Sequence, residues 1–87
     1  MYIILVYDIE TQRITKVLKL CRQYLVWIQN STFEGELSPL QYKELQAKLK
    51  KIINPKKDSI IIFYNKMGLK PNKQVIGITK NEDQTFL

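Results

Sequence analysis

One carboxylate stands at the end of an unbroken apolar run, because Asp8 follows IILVY at residues 3 to 7. A carboxylate of this kind can bind magnesium, which keeps several waters and accepts one or two protein carboxylates together with phosphate oxygens. Asp8 can instead cap or turn the chain into a following helix. Both interpretations, metal ligand and structural residue, stay open at this point.

The residue types that the chain lacks narrow the chemistry. It has no histidine and a single cysteine, Cys21. This excludes a histidine-pair ribonuclease, a serine or cysteine triad, an imidazole zinc site and an internal disulfide. Catalysis within the chain would therefore have to use carboxylates and an oxygen-preferring cation such as Mg²⁺. We expect Cys21 to be a buried small side chain on the apolar side of a helix.

The 87 residues carry a net charge of +6, from 14 Lys and Arg against 8 Asp and Glu. Such a charge attracts a polyanion such as nucleic acid, although solvated surface lysines produce the same count. No apolar run approaches the roughly 20 residues that cross a bilayer, and no signal peptide is visible. We therefore expect a cytoplasmic protein without a membrane partner. A domain this small has a thin core, which a second copy could help to cover.

The first strand and the segment that follows it have two different hydrophobic patterns. Residues 3 to 7 are apolar at every position, as in a strand covered on both faces. The next segment repeats apolar residues at intervals of three and four, which predicts a helix of about four turns. Its apolar stripe consists of Ile14, Val17, Leu18, Cys21 and Leu25, and its basic side consists of Arg13, Lys16, Lys19 and Arg22.

Residues 26 to 37, VWIQNSTFEGEL, are rich in β-branched and aromatic residues and predict extended structure. Phe33 is out of phase with the apolar residues before it, so a bulge or tight turn is required near Asn30 and Ser31. The segment therefore forms two short strands or one sharply bent strand.

A second helix has the clearest start in the chain. Ser38 is a candidate N-cap, Pro39 suits the first helical position and Gln41 completes a capping box. The helix ends at the Asn54-Pro55 pair. The lysines near its C-terminal end suit either the helix dipole or a bound phosphate, and they are Lys48, Lys50, Lys51, Lys56 and Lys57.

Residues 58 to 65, DSIIIFYN, predict another strand, so the order of elements is βαββαβ. This order predicts an α+β, ferredoxin-like sandwich in a single domain spanning residues 1–87, with residues 1–64 as the core motif. Residues 65–87 add a basic loop, an extra strand at 74–79 and a tail. A lone terminal strand needs an edge to pair with, and that edge can belong to this sheet or to another subunit.

The first and last strands of this motif are antiparallel neighbours, so the end of one meets the start of the other. We therefore expect Asp58 at the same edge as Asp8, where it can also cap its own loop. A homodimer with Asp8 near its two-fold axis would supply a second carboxylate for a metal by symmetry.

Several segments together are similar to the CRISPR-associated Cas2 family. They are VYDI at 6–9, Arg13, the KV pair at 16–17, IQNSTFEGEL at 28–37 and DSIIIFY at 58–64. The segment VIGITKNEDQTFL at 75–87 is also similar to the tails of some members. The resemblance covers nearly the whole chain, from residue 1 to at least 64, and the combination is specific.

The resemblance implies a homodimer in which the extra C-terminal strand of each chain pairs with the partner's sheet. It also implies a role in spacer acquisition, in which the homodimer bridges dimers of the Cas1 integrase in a heterohexamer or heterotetramer and binds duplex DNA. It also implies a magnesium-dependent endonuclease, or endoribonuclease, acting on single-stranded RNA or duplex DNA with Asp8 as catalytic residue and metal ligand. The nucleic-acid-binding positions implied in this way are Tyr7, Arg13, Lys16, Ser31 and Phe33. Phe33 can equally well be core filler, since most buried phenylalanines are only that.

The chain departs from the family pattern at Ile14 and at Trp27, where members often have arginine. The loss of these cationic groups near the implied site favours weaker phosphodiester cleavage. It does not affect the predicted fold or the position of Asp8. Two other functions stay open: a non-catalytic nucleic-acid-binding adaptor, in which Asp8 is structural, and a toxin ribonuclease of the virulence-associated D type, which shares the fold and the strand-end aspartate.

Overall fold

The order of strands and helices follows the sequence pattern closely. A computed structural model describes residues 1–65 and 72–79 of the chain. Its elements are β1 Tyr2–Asp8, α1 Thr11–Tyr24, β2 Val26–Gln29, β3 Thr32–Glu36, α2 Pro39–Ile52, β4 Ser59–Asn65 and β5 Asn72–Gly77. The predicted ferredoxin-like α+β fold is confirmed. The predicted tail and most of the basic loop lie outside the described residues.

The sheet is antiparallel, with the strand order β2-β3-β1-β4-β5. The central strand β1 pairs with β3 on one side and β4 on the other. Its last residue, Asp8, lies opposite Ser59, the first residue of β4. The end of β1 and the start of β4 therefore meet at one edge, as the sequence predicts.

The fifth strand spans 72–77 rather than the predicted 74–79. Within the chain it pairs with β4, from Tyr64 opposite Asn72 to Ser59 opposite Gly77, and its pairing with the sheet of a partner subunit stays a prediction. In the four-stranded motif β4 is an edge strand, so its unpaired backbone groups accept the strand that follows it in the chain. Gly77 permits the close approach, because its φ is 95° and a Cβ there would collide with the Asp58 carbonyl group.

The turn between β2 and β3 is confirmed at the predicted position. The register shifts between Trp27 and Gln29, and Asn30 has a positive φ of 46°. The Trp27 indole N–H donates to the Asn30 carbonyl at 2.9 Å and so holds the turn. The irregularity resolves the phase conflict, because it lets Phe33 point into the core.

The two faces of the sheet differ in burial. Ile3, Leu5, Ile60 and Ile62 are buried together with apolar residues of both helices. The alternate side chains along β1 and β4 are only partly buried or exposed, and we call them the open face: Tyr2, Ile4, Val6, Ile61 and Phe63. The described residues thus provide a core on one face of the sheet and leave apolar side chains on the other.

The core side of α1 includes Val17, Leu20 and Cys21, which are buried, while Ile14 and Leu18 pack at its border. Burial of Cys21 agrees with the prediction, and it raises the pKa of the thiol to about 12. Neither helix in the described part of the chain is long and apolar enough to cross a membrane.

The predicted capping box of α2 is present. The Ser38 hydroxyl accepts from the Gln41 backbone N–H at 3.1 Å, and the Gln41 side-chain oxygen accepts from the Ser38 backbone N–H at 2.9 Å. Because this box satisfies two N–H groups that have no partner in the helix itself, we expect Ser38→Ala to lower the free energy of unfolding by about 1 kcal/mol. Urea unfolding at pH 7 measures the change. Ser38→Asp retains an acceptor and should stay near the parent, and equal losses in both variants would contradict the capping role.

Candidate functional site

The candidate metal ligand lies at the edge where β1 ends. Asp8 is the last residue of β1 and is exposed. Side chains alternate along a strand, so Asp8 is in phase with Ile4 and Val6 of the open face. Its carboxylate therefore stands at the border of an apolar surface.

The neighbouring carboxylate, Asp58, has the opposite environment. It immediately precedes β4 and is 0% exposed. Each of its oxygens accepts two hydrogen bonds. Oδ1 accepts from the Glu10 backbone N–H and from Arg13 Nη2, both at 3.0 Å. Oδ2 accepts from Arg13 Nε at 2.5 Å and from the Asn54 backbone N–H at 2.8 Å. The sequence placed Asp58 at the correct edge, whereas this set of partners was not predicted.

Arg13 belongs to this network. Its side chain is 19% exposed, and it bridges Asp58 and Glu10, whose Oε1 lies 2.9 Å from Nη2. The Arg13 guanidinium and the two backbone N–H groups hold the pKa of the Asp58 carboxyl well below its usual range. The hydrogen bond to Asp58 raises the pKa of Arg13, which stays charged. Its Nε and Nη2 groups bind carboxylates of this chain, which was not predicted, and the contact of Arg13 with nucleic acid stays a prediction.

Two aromatic residues beside the site lie in the helix-covered layer. Phe33 is 0% exposed, which favours the core-filler alternative over base stacking, because a ring without exposed surface offers no face to a base. Tyr7 is half-buried, and its ring centroid lies 6.3 Å from that of Phe33. The Tyr7 backbone N–H donates to the Ser31 carbonyl at 3.0 Å, so Ser31 lies beside the C-terminal end of β1.

The lysines predicted to bind phosphate are exposed, and one of them also contacts a side chain of the other helix. Lys16 is exposed on α1. Lys48 of α2 donates to the Tyr24 hydroxyl at 2.8 Å and lies 5.2 Å from the centre of that ring, so it also joins the two helices. The other lysines predicted near the end of α2 are exposed, namely Lys50, Lys51, Lys56 and Lys57.

At this edge of the described residues the carboxylates are Asp8, Glu10 and the buried Asp58. Among residues 1–65 and 72–79, no group of three or more His, Cys, Asp or Glu side chains could hold an ion. Asp58 is buried and its oxygens accept four hydrogen bonds, and Glu10 pairs with Arg13, so the exposed Asp8 is the candidate metal ligand. A single carboxylate fits a largely hydrated Mg²⁺ that also binds phosphate oxygens, and it does not fit an enclosed protein site.

Known proteins are similar to this chain in sequence. The family described as CRISPR associated protein Cas2 matches residues 1–70. Proteins named CRISPR-associated endoribonuclease Cas2 are similar over most of the chain: that of Thermotoga maritima is 41% identical over 95% of each chain, and that of Dictyoglomus turgidum is 40% identical over 100% of each.

Solved structures agree with these sequence matches. A crystal structure of Cas2 has a TM-score of 0.70 at 40% identity, covering 100% of this chain and 98% of the other. The crystal structure of Streptococcus pyogenes Cas2 at pH 6.5 has a TM-score of 0.70 at 32% identity, covering 76% and 87% of the two chains.

Proposed function

Because the chain belongs to the CRISPR-associated Cas2 family, we propose that it is a magnesium-dependent endoribonuclease that also binds duplex DNA in spacer acquisition. The observation that carries the nuclease proposal is the exposed Asp8 carboxylate at the end of β1, beside a buried and saturated Asp58. The endoribonuclease names of relatives at about 40% identity support it. Family membership favours this function over the toxin-like alternative.

The proposed active form is a homodimer. The open face presents Ile4, Val6, Ile61 and Phe63 with only partial cover, and burying apolar surface is the main driving force for association. Asp8 is in phase with this face, so two open faces packed together would place both Asp8 edges at one interface. The second carboxylate would then come from the partner subunit by symmetry.

In the proposed reaction, Asp8 from each subunit would hold Mg²⁺, directly or through water. An ion held there would supply a more acidic bound water and positive charge opposite the scissile phosphate. The chain's own residues would bind and position the sugar–phosphate backbone of the nucleic acid. Lys16 provides an exposed positive charge, while Tyr7 and Ser31 lie beside the end of β1. Such phosphate contacts fix the strand without reading its sequence.

The adaptor function is a second candidate, and a specific observation favours it. Among the described residues, no group of three or more His, Cys, Asp or Glu side chains could hold a metal ion, which is a sparse basis for catalysis, whereas the exposed lysines on α1 and α2 can attract duplex DNA electrostatically. In this form the homodimer bridges Cas1 integrase dimers and does not cut.

A nuclease assay separates the two candidates. Highly purified parent and Asp8→Ala are incubated with single-stranded RNA or duplex DNA, with Mg²⁺ or with a chelator. We expect the parent to cut RNA only with Mg²⁺, and Asp8→Ala to leave it intact. Equal cutting by both proteins would identify a contaminant and overturn the assignment. Binding of duplex DNA by a parent that does not cut would establish the adaptor.

A further inference from the structure

The buried hydrogen-bond network around Asp58 lies next to Asp8 in the fold, and it has no part in the proposed reaction. Asp58 cannot itself bind the metal, because it has no exposed surface and each oxygen already accepts two hydrogen bonds. Four donors on one carboxylate exceed what a loop cap requires, since a cap is typically one bond to a nearby N–H. The donors also come from segments far apart in the chain.

These donors fix the backbone on one side of Asp8. The Glu10 N–H that binds Asp58 Oδ1 lies two residues after Asp8, and Arg13 follows in the first turn of α1. The Arg13 backbone N–H also donates to the Glu10 carbonyl at 2.9 Å. The connection from β1 to α1 is therefore tied to Asp58 through both main chain and side chain.

The sheet fixes the backbone on the other side. Asp8 pairs with Ser59, the residue next to Asp58, and Tyr7 donates to the Ser31 carbonyl. The Asp58 carbonyl in turn accepts from the Ile78 N–H at 3.0 Å, which ties the end of β5 to the same point. Asp8 is thus held between two anchored segments, and Asp58 connects them.

We propose that Asp58, acting through Arg13 and the Glu10 N–H, is a positioning residue that sets the orientation of the Asp8 carboxylate for a divalent cation. This inference rests on the metal role of Asp8 in the proposed function. Residues behind a metal ligand typically change metal affinity by about 10- to 100-fold when they are mutated. Asp58 differs from the usual case because it acts on the ligand's backbone and not on its side-chain oxygens.

The test measures metal binding directly and does not depend on cleavage. Mn²⁺ serves as the probe, since it shares the oxygen ligands and octahedral geometry of Mg²⁺, and its paramagnetic broadening of amide signals near Asp8 gives a dissociation constant for the whole chain. Asp58→Asn keeps the shape of the side chain but places an amide NH₂ where an N–H donor needs an acceptor. We expect it to weaken Mn²⁺ binding about 10-fold. Glu36→Gln, which changes an exposed carboxylate of β3 opposite the first residue of β1, should have no effect.

A second variant keeps the test decisive if Asp58→Asn does not fold. Arg13→Lys retains the charge beside Asp58 but loses the planar fork that binds both oxygens, and we expect it to weaken Mn²⁺ binding as well. The double variant should bind no more weakly than Asp58→Asn alone, because both residues act through one network. Circular dichroism verifies that each protein is folded.

The outcomes separate this inference from the proposed function. Parent-like Mn²⁺ affinity in folded Asp58→Asn or in folded Arg13→Lys would overturn the positioning role alone. Weakened binding in these variants, with no RNA cleavage by the parent, would support the positioning role and reject the nuclease. Absence of broadening near Asp8 in the parent would overturn the metal site and the inference together.

Discussion

Replacing Asp8 with asparagine is expected to lower magnesium-dependent cleavage of single-stranded RNA by roughly 100-fold or more. The amide has the same shape but no negative charge, and a hard cation binds a neutral oxygen much less well. Metal catalysis contributes several kcal/mol of charge stabilisation, and each 1.36 kcal/mol corresponds to a factor of about 10 in rate. Asp8 is exposed, so the thermal midpoint should remain close to that of the parent.

Initial rates over a range of Mg²⁺ concentrations measure this effect. Glu36→Gln is the matched control, because it removes an exposed carboxylate from β3 without touching the end of β1. Mixed dimers of parent and Asp8→Asn would reveal whether the two subunits share one ion, since a shared site loses activity with one substitution. Retention of the parent rate in Asp8→Asn would place the metal elsewhere.

Asp58→Ala is expected to lower the free energy of unfolding by about 3–5 kcal/mol, which is typical for breaking a buried ion pair by removing one partner. The substitution leaves the largely buried Arg13 side chain without its main partner, and it removes the acceptor for the N–H groups of Glu10 and Asn54. Small domains are stable by only about 5–15 kcal/mol. Urea unfolding at pH 7 measures the loss, and Glu36→Ala serves as an exposed control.

The same variant should also change the pH dependence of stability. The pKa of Asp58 is depressed in the folded chain, so its contribution is fully present above the unfolded pKa of about 3.9 and is lost as pH falls below that value. We expect the parent to lose stability steadily as the pH falls below about 4, and Asp58→Ala to lose less over the same interval. Parallel curves for the two proteins would show that another carboxylate controls acid unfolding.

The sequence predicted those features that depend on local periodicity and on topology. The apolar intervals of α1, the Ser38 capping box and the phase slip before Phe33 each have a short-range cause, and each is found at its predicted place. Topology alone also brought Asp58 to the edge that holds Asp8.

Contacts that depend on exact three-dimensional placement were not predictable. Arg13 and Asp58 are 45 residues apart, and no spacing rule links them. Arg13 lies on the basic side of a helix, so the pattern suggested a solvent or phosphate partner rather than a buried carboxylate. The pairing of β5 with its own β4 also depends on which edge is nearer, which hydrophobic alternation does not encode.

The deep burial of Cys21 makes the protein convenient for testing the proposed homodimer by distance measurements. The thiol has no exposed surface, and burial raises its pKa to about 12, so thiol-directed reagents at neutral pH should leave it unmodified. A cysteine introduced at an exposed position, such as Lys43→Cys on α2, would then be the one reactive thiol in each chain. Spin labels attached there would report the separation of two copies without any need to delete the native thiol.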